Sequence, residues 1–159
     1  MLKKIYALAL LGAVCSPAFA QDGSSCANAM PISSNSQVNV DTTSSPNSVG
    51  ALGGLPSPGN DKIYKFTAQG ASGDVQISNA TYDFGVFLVP SCNGGTTGSP
   101  IQAATGPATT GSFPVDGLTD GQTYYIIVSG NPSVNAPLSG SLTISTPTLP
   151  VTLQNFSID

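Results

Sequence analysis

Short runs of apolar residues, separated by clusters of Gly, Pro, Asn and Asp, follow one another along most of this chain. The runs are rich in Val, Ile, Tyr, Phe and Thr, and no segment shows a sustained apolar period of about 3.6 residues. This pattern is typical of an all-β domain, whose strands bury one face and are joined by tight turns. Strands are predicted at 37–42, 62–68, 74–79, 84–89, 101–104, 112–115, 123–129 and 141–146.

The alternation of apolar and polar residues predicts which faces of these strands are buried. Tyr64 and Phe66 are expected to face the core and Lys65 to face outward, because successive side chains of a strand point to opposite faces. The segment 123–128 is apolar on both faces. That second pattern predicts a central strand of a β-sandwich.

Two segments lie outside this strand order. Residues 43–60 are rich in Ser, Gly and Pro and are predicted to form a long loop, with a short apolar strand at 49–52 as the alternative. Residues 147–159 begin with two nearby prolines, which end the preceding strand, and then alternate again. This tail either pairs with its own sandwich, stays unpaired or adds a strand to a neighbouring molecule. The residues assigned to such an assembly are Val151, Leu153 and Phe156.

The first residues of the chain have the composition of an export signal. Two lysines precede an apolar run over 5–14, and residues 18–20 (Ala-Phe-Ala) form a small-x-small cleavage site. Lipid attachment at Cys15 is the competing interpretation, but the residues before that cysteine do not match the lipidation pattern. No later stretch reaches the ~20 apolar residues that span a membrane. We therefore expect a signal peptide over 1–20, a β-sandwich domain over 21–146 and the tail. The protein is expected to be secreted or held at the cell surface, with the periplasm as the alternative.

Charged residues are few and chemically narrow. Every base is Lys, every acid is Asp, and the chain contains no His. Once residues 1–20 are removed, 2 Lys and 8 Asp remain, so the net charge is 2 − 8 = −6. This charge disfavours nucleic acid and anionic lipid as partners. The absence of His, Arg and Glu excludes His-based triads and arginine clamps, and no carboxylate pair is placed for glycoside hydrolysis. A protein without enzymatic activity is predicted.

Two cysteines remain after the signal peptide is removed. Cys26 and Cys92 form an even pair in an oxidising compartment, so a disulfide is predicted, with two free thiols as the alternative. On the chain-entropy model, closing a loop of this length stabilises the fold by about 4 kcal/mol.

Four blocks of the chain occur in the order found in a known family. They are 26–32 (CANAMPI), 61–68 (DKIYKFTA), 81–92 (TYDFGVFLVPSC) and 118–128 (LTDGQTYYIIV). Together they resemble the bacterial pre-peptidase C-terminal domain family. The resemblance implies a jelly-roll-like antiparallel β-sandwich of about eight strands. It also implies a secreted, non-catalytic module that acts in export, substrate attachment or surface retention.

The resemblance also raises calcium as a ligand, because collagen-binding modules related to this family bind the ion through clustered acids. Where many family members carry paired Asp residues after the second cysteine, this chain has 101–106 (IQAATG). Asp116 and Asp120, in the sequence DGLTDG, and Asp83, before a buried strand, offer the carboxylate oxygens that calcium prefers. Turn formation and capping of loop amides are the alternative roles, since Asp-Gly is a common turn. No cofactor is therefore predicted, and calcium remains the alternative.

Aromatic rings on the surface would offer a stacking platform for sugars. Tyr82 and Phe84 are the candidates for ligand binding, with core packing as the alternative role of each ring. The predicted function is a non-catalytic, secreted binding or attachment module of a bacterial cell envelope or exoprotein system, whose partner is an extracellular polysaccharide or protein. The competing hypothesis is a subunit that self-associates into a surface filament or matrix through its tail.

Overall fold

The described part of the chain consists of strands joined by turns and loops. A computed structural model describes residues 21–52, 55–56, 59–93, 96–97, 101–106, 109–130 and 138–147. These residues contain thirteen strands and no helix. The strands are β1 (Met30–Pro31), β2 (Ser36–Asp41), β3 (Ala51–Leu52), β4 (Leu55–Pro56), β5 (Asp61–Thr67), β6 (Ser72–Ser78), β7 (Phe84–Val89), β8 (Cys92–Asn93), β9 (Thr96–Thr97), β10 (Gln102–Gly106), β11 (Gly111–Asp116), β12 (Thr123–Gly130) and β13 (Ser139–Ser145).

Nine of these strands form two main sheets. Sheet A has the order β1-β5-β12-β7-β10 and sheet B the order β11-β6-β13-β2, and every pair is antiparallel except β1 with β5. β3 pairs with β4, and β8 with β9, in two small hairpins. When the eight strands of five or more residues are counted in chain order, sheet A reads 2-7-4-5 and sheet B reads 1-8-3-6. This is the strand order of a jelly roll, an eight-stranded sandwich of two Greek keys.

The predicted all-β, jelly-roll-like fold is confirmed. All eight predicted strands are present, and their ends differ from the expected ones by at most two residues. The alternative of a short strand within 43–60 is also observed, as β3. The prediction missed β1, β4, β8 and β9, because two residues are too few to show a period. Strand β1 lies parallel to β5, where the N–H of Ile32 donates to the carbonyl oxygen of Lys65 at 2.9 Å.

The main core lies between the two sheets. Tyr64 and Phe66 of β5 share it with Val75 and Ile77 of β6, and none of the four is more than 3% exposed. Lys65 is on the opposite side of β5, as the alternation predicted. Burying a large apolar side chain stabilises a fold by about 1.5–3 kcal/mol, so these positions dominate the stability of the sandwich.

Tyr64 also connects the two sheets through its hydroxyl group. The phenol donates a hydrogen bond to the carbonyl oxygen of Asn39, in the edge strand β2, at 3.4 Å. Burial raises the pKa of Tyr64 to about 12. The phenol therefore stays protonated, and remains a donor, over the whole physiological pH range.

A second, smaller core lies on the outer face of sheet A. The side chains of Ile63, Phe87, Val89 and Ile127 point away from the main core and are at most 2% exposed. This burial explains why β7 and β12 are apolar on both faces. The residues packed over them are Cys26, Ala29, Val49, Leu52 and Cys92, which we call the cover layer.

Two interactions hold the cover layer in place. The predicted disulfide is confirmed, since Cys26 and Cys92 are bonded with their Cα atoms 5.3 Å apart. The second interaction involves Asp61 at the start of β5, which is 0% exposed. Its Oδ2 accepts hydrogen bonds from the N–H groups of Ser48 at 2.8 Å and Val49 at 2.7 Å. The disulfide thus joins the N-terminal segment to β8, and the carboxylate attaches the loop before β5 to sheet A.

Several predictions concern residues outside the described ranges. The signal peptide over 1–20, the competing lipid attachment and the assembly residues Val151, Leu153 and Phe156 all belong to this group, and they stay predictions. Among the residues with described positions, no helix has the length and apolar character needed to cross a bilayer.

Candidate binding site

The candidate site is a cleft on the outer face of sheet A, beside the area that the cover layer occupies. Its volume is about 400 Å³. Ile32 and Phe66 are the buried residues of its lining, and five further residues form its accessible floor and rim: Pro31 of β1, Lys65 and Thr67 of β5, and Thr123 and Tyr125 of β12. We call it the Lys65 cleft. All five residues are half-buried or exposed, so their side chains are accessible to a ligand.

The strand register places these side chains in two close pairs. Lys65 lies directly opposite Tyr125, and Thr67 directly opposite Thr123. The main-chain carbonyl of Lys65 faces β1, where it accepts from Ile32, so Lys65 and Tyr125 do not exchange main-chain hydrogen bonds. The same holds for the threonine pair, two residues further along. Cα atoms in such non-hydrogen-bonded pairs are only about 4.5 Å apart, and their side chains lie closer than in hydrogen-bonded pairs.

Tyr125 is positioned by the second core. Its half-buried side chain packs against the cluster that contains the cover layer, and its neighbour across the strand is the fully buried Val89 of β7. The ring thus lies at the boundary between the covered and the open part of the sheet. Because one side of the ring contacts a packed cluster, less side-chain entropy is lost when a ligand covers the other.

The cleft has a positive charge in a chain that is negative overall. Lys65 is one of two lysines in the predicted mature chain, and no carboxylate is among the described residues that line the cleft. The other lysine, Lys62, lies nearer the opposite end of β5, in a hollow of about 260 Å³ that it shares with Asp22 and Asp41. Hydrogen bonds are the main cause that lowers the pKa of both carboxyls, and the ammonium group of Lys62 adds to this effect.

Asp22 and Asp41 each organise their own loop. The Oδ1 of Asp22 accepts from the hydroxyl of Ser24 at 2.6 Å and from its N–H at 3.0 Å. The Oδ1 of Asp41 accepts from the hydroxyl of Thr43 at 2.6 Å and from its N–H at 2.8 Å. The two hydroxyl hydrogen bonds are the largest cause that lowers the pKa of each carboxyl. One oxygen of each acid is thus already engaged by its own turn.

Acid is expected to weaken these two turns. The folded-state pKa of Asp22 and of Asp41 lies below the ordinary value of 3.8. The carboxylates therefore contribute stability above pH 3.8, and this contribution is lost as the pH falls through the lower folded-state values. A variant with Asp22→Asn and Asp41→Asn should lose less stability than the wild type between about pH 5 and about pH 2, measured by urea unfolding. The difference is small because both groups are exposed, and equal losses in the two proteins would contradict it.

The acids considered for calcium belong to three different parts of the fold. Asp116 is exposed on the outer face of sheet B, where it shares a hollow of about 460 Å³ with Asp74. Asp120 is in the turn before β12, and Asp83 is exposed in the loop before β7. The described residues include no group of three or more Asp or Cys side chains that would hold a metal ion. The glycines that follow Asp116 and Asp120 both have φ of +76°, which fits the alternative role of these acids in turns.

The two aromatic candidates differ in exposure. Tyr82 is 52% exposed, as a ligand-binding ring must be. Phe84 is only 5% exposed and belongs to the main core, so the structure corrects the idea that its ring is open to sugars. Phe84 begins β7 and points to the same side as Val86 and Leu88. Core packing, the other role considered for this ring, is the observed one; the sequence could not separate the two roles because alternation is invisible in a strand whose residues are all apolar or Gly.

Comparison with known proteins supplied likenesses in structure only. No family model and no curated protein sequence matches the chain. The chain is similar to the pre-peptidase C-terminal domain of a collagenase from Bacillus anthracis, with 17% identity, 74% of this chain and 94% of the other covered, and a TM-score of 0.45. It is also similar to a periplasmic inhibitor of g-type lysozyme from Aeromonas hydrophila, at 14% identity over 74% of this chain and 96% of that one, with a TM-score of 0.40. A third similar structure is the GH26-CBM35 β-(1,4)-mannanase from Podospora anserina. The identity is 14%, the match covers 73% of this chain and 29% of that one, and the TM-score is 0.34. One of these three solved structures is a pre-peptidase C-terminal domain, the family that the four sequence blocks resemble.

Proposed function

We propose that this chain is a non-catalytic binding module of an exported bacterial protein, and that its ligand occupies the Lys65 cleft. The observation that carries the proposal is the pair of cross-strand contacts in the cleft. They bring an aromatic ring, a cation and two hydroxyl groups together on a sheet packed on both faces. Side chains held on strands of a packed sheet are well positioned for binding, because little entropy is lost when a ligand orders them.

The composition supports binding rather than catalysis. The whole chain contains no His, Arg or Glu. The cleft offers Lys and Thr but no carboxylate among its described residues, so a hydroxyl nucleophile there would lack the usual partner base. What these groups can do is donate and accept hydrogen bonds and attract a negative charge.

The disulfide supports an exported location. Disulfides form and persist in secreted and periplasmic proteins and are rare in the reducing cytosol. Cys26 and Cys92 are bonded here, which agrees with the signal peptide expected from the first residues. We therefore place the ligand outside the cytoplasm, as a component of the cell surface or of the surrounding matrix.

Removal of the ring is the direct test of the cleft. The purified secreted protein would be incubated with immobilised pectate, alginate, chitin, cellulose and gelatin, and the retained fraction measured. Tyr125→Ala should lower the affinity for the retaining material by about tenfold, since losing about 1.4 kcal/mol of buried apolar contact with the ring corresponds to that factor. Tyr82→Ala is the matched control, because that tyrosine is 52% exposed and lies outside the cleft.

Tyr125→Ala also removes a contact with the second core, so a second variant separates binding from folding. Thr67→Trp fills the cleft from an exposed strand position and leaves both cores unchanged. Retention that falls in both cleft variants and persists in Tyr82→Ala would support the site. Retention that depends on Tyr82 alone, or a wild type that no probe retains, would refute it.

A further inference from the structure

From the Lys65 cleft we infer the class of its ligand: a saccharide unit that carries a carboxylate, as in a uronic acid polymer. This inference rests on the proposed function. The ligand is an acidic polysaccharide, and neither a neutral glycan nor a protein.

The size of the cleft favours a small, compact unit. Its volume of about 400 Å³ is near the lower end of the range of roughly 300–1,000 Å³ for small-molecule sites. Stable protein interfaces bury about 1,200–2,000 Å² and depend on clusters of aromatic and Arg residues. The exposed large apolar residues in the described part of the chain are Tyr82 and Ile101, and neither lines the cleft. The surroundings of the cleft therefore suit a sugar better than a protein surface.

The hydroxyl groups in the cleft match the chemistry of a sugar ring. Thr67 and Thr123 lie directly opposite each other as a close pair. Each hydroxyl can donate one hydrogen bond and accept two, so both can engage vicinal hydroxyl groups of one sugar. Tyr125, two residues along β12 on the same face, offers the flat apolar surface on which the C–H face of a sugar would stack.

Lys65 adds the preference for a negative charge. Its ammonium group lies in the row Pro31, Lys65, Tyr125 across the sheet, with no described carboxylate lining the cleft. A neutral sugar bound there would displace water from the ammonium group and offer no charge in return. A carboxylate would instead form a charge-assisted hydrogen bond, which is roughly twice as strong as a neutral one.

The net negative charge of the chain does not prevent this binding. With a predicted mature charge of −6, the protein as a whole repels a polyanion. At physiological ionic strength, however, charges separated by more than about 8 Å are largely screened, so the ammonium group of Lys65 weighs more than carboxylates at a greater distance. Asp120, in the turn before β12, follows the same end of the sheet but does not line the cleft. The expected result is weak binding per unit, which many repeated units of a polymer would strengthen.

Lys62 provides the internal comparison. It carries the same side chain on the same strand, but it shares its hollow with Asp22 and Asp41. A carboxylate would meet two like charges there. Lys62→Gln therefore removes the same charge from the protein as Lys65→Gln without changing the cleft.

The experiment is a titration of the isotope-labelled protein followed by two-dimensional NMR. The probes are trimers of galacturonate and of mannuronate, and the matched controls are the same trimers with the carboxylates converted to methyl esters. At least one acidic trimer should shift the amide signals of Lys65, Thr67, Thr123 and Tyr125. Its methyl ester should bind at least about tenfold more weakly, as expected from the loss of a charge-assisted hydrogen bond.

The variants give the second readout. Lys65→Gln should weaken binding of the acidic trimer by about tenfold or more, Lys65→Arg should restore most of it, and Lys62→Gln should leave it unchanged. If the esters bind as well as the acids, the charge preference is refuted, whereas the proposed function stands with a neutral ligand. If neither acid nor ester shifts the cleft signals, the saccharide inference is refuted. The retention experiment with Tyr125→Ala then decides separately whether the cleft binds anything.

Discussion

Replacement of both cysteines, Cys26→Ala with Cys92→Ala, should lower the free energy of unfolding by about 4 kcal/mol. The two residues are 66 positions apart, and the chain-entropy model gives about 4 kcal/mol for a loop of that size. For a domain of this length, such a loss lowers the melting temperature by roughly 15 °C. Because both cysteines belong to the cover layer, the loss should be accompanied by loosening of the second core.

The measurement is urea unfolding of the wild type and the double variant, monitored by tyrosine fluorescence. The wild type with its disulfide reduced is the control, and it should unfold near the double variant, since both lack the same cross-link. A loss of less than about 1 kcal/mol would show that the cover layer is held by its packing alone.

This variant also tests how the cleft is built. Tyr125 packs against the cluster that the disulfide crosses. If the cover layer positions the ring, the double variant should bind the ligand of the cleft more weakly even under conditions where it is fully folded. Unchanged affinity would mean that strand β12 alone positions Tyr125.

Asp61→Ala is expected to cost about 3 kcal/mol of unfolding free energy. The carboxylate is completely buried and accepts hydrogen bonds from the main-chain N–H groups of Ser48 and Val49. Val49 is itself 0% exposed, so water cannot replace the lost acceptor. Leaving buried donors unpaired costs about 1–3 kcal/mol for each group, and hydrogen bonds to charged groups are at the upper end of the range.

Asp61→Asn should cost less than Asp61→Ala, because the amide oxygen can still accept while the charge is lost. Asp74→Ala, at an exposed position of β6, is the matched control and should change the stability by less than about 0.5 kcal/mol. Hydrogen exchange of the Ser48 and Val49 amides should accelerate in the Ala variant. If Asp61→Ala were as stable as Asp74→Ala, the role of the buried carboxylate as an anchor of the loop would be wrong.

The double cysteine variant and Asp61→Ala both act on the cover layer outside sheet A. A regular sandwich does not need such a layer. Strands β7 and β12 are apolar on both faces, so their outer faces must be covered. The chain covers them with its N-terminal segment, the loop before β5 and Cys92 of β8, and it leaves the Lys65 cleft open beside this cover layer. The Lys65 cleft therefore lies where the cover layer ends.

The sequence by itself determined the strands and the side of each that is buried. Alternation in β5 showed that Tyr64 and Phe66 face inward and Lys65 outward, and the structure confirms this. The apolar character of 123–128 on both faces correctly indicated a central strand. These features are readable because side-chain direction in a strand repeats every two residues, which is a local property of the backbone.

Only the tertiary structure decided which strands are neighbours, and therefore what the site contains. Lys65 and Tyr125 are 60 positions apart, and they become partners because the jelly roll places β12 beside β5 in one register. The burial of Asp61 and of Phe84, and the exposure of Tyr82, likewise depend on which loops and strands pack over them. Pairing between distant strands is set by the combined packing of two sheets, and no local pattern in the sequence specifies it.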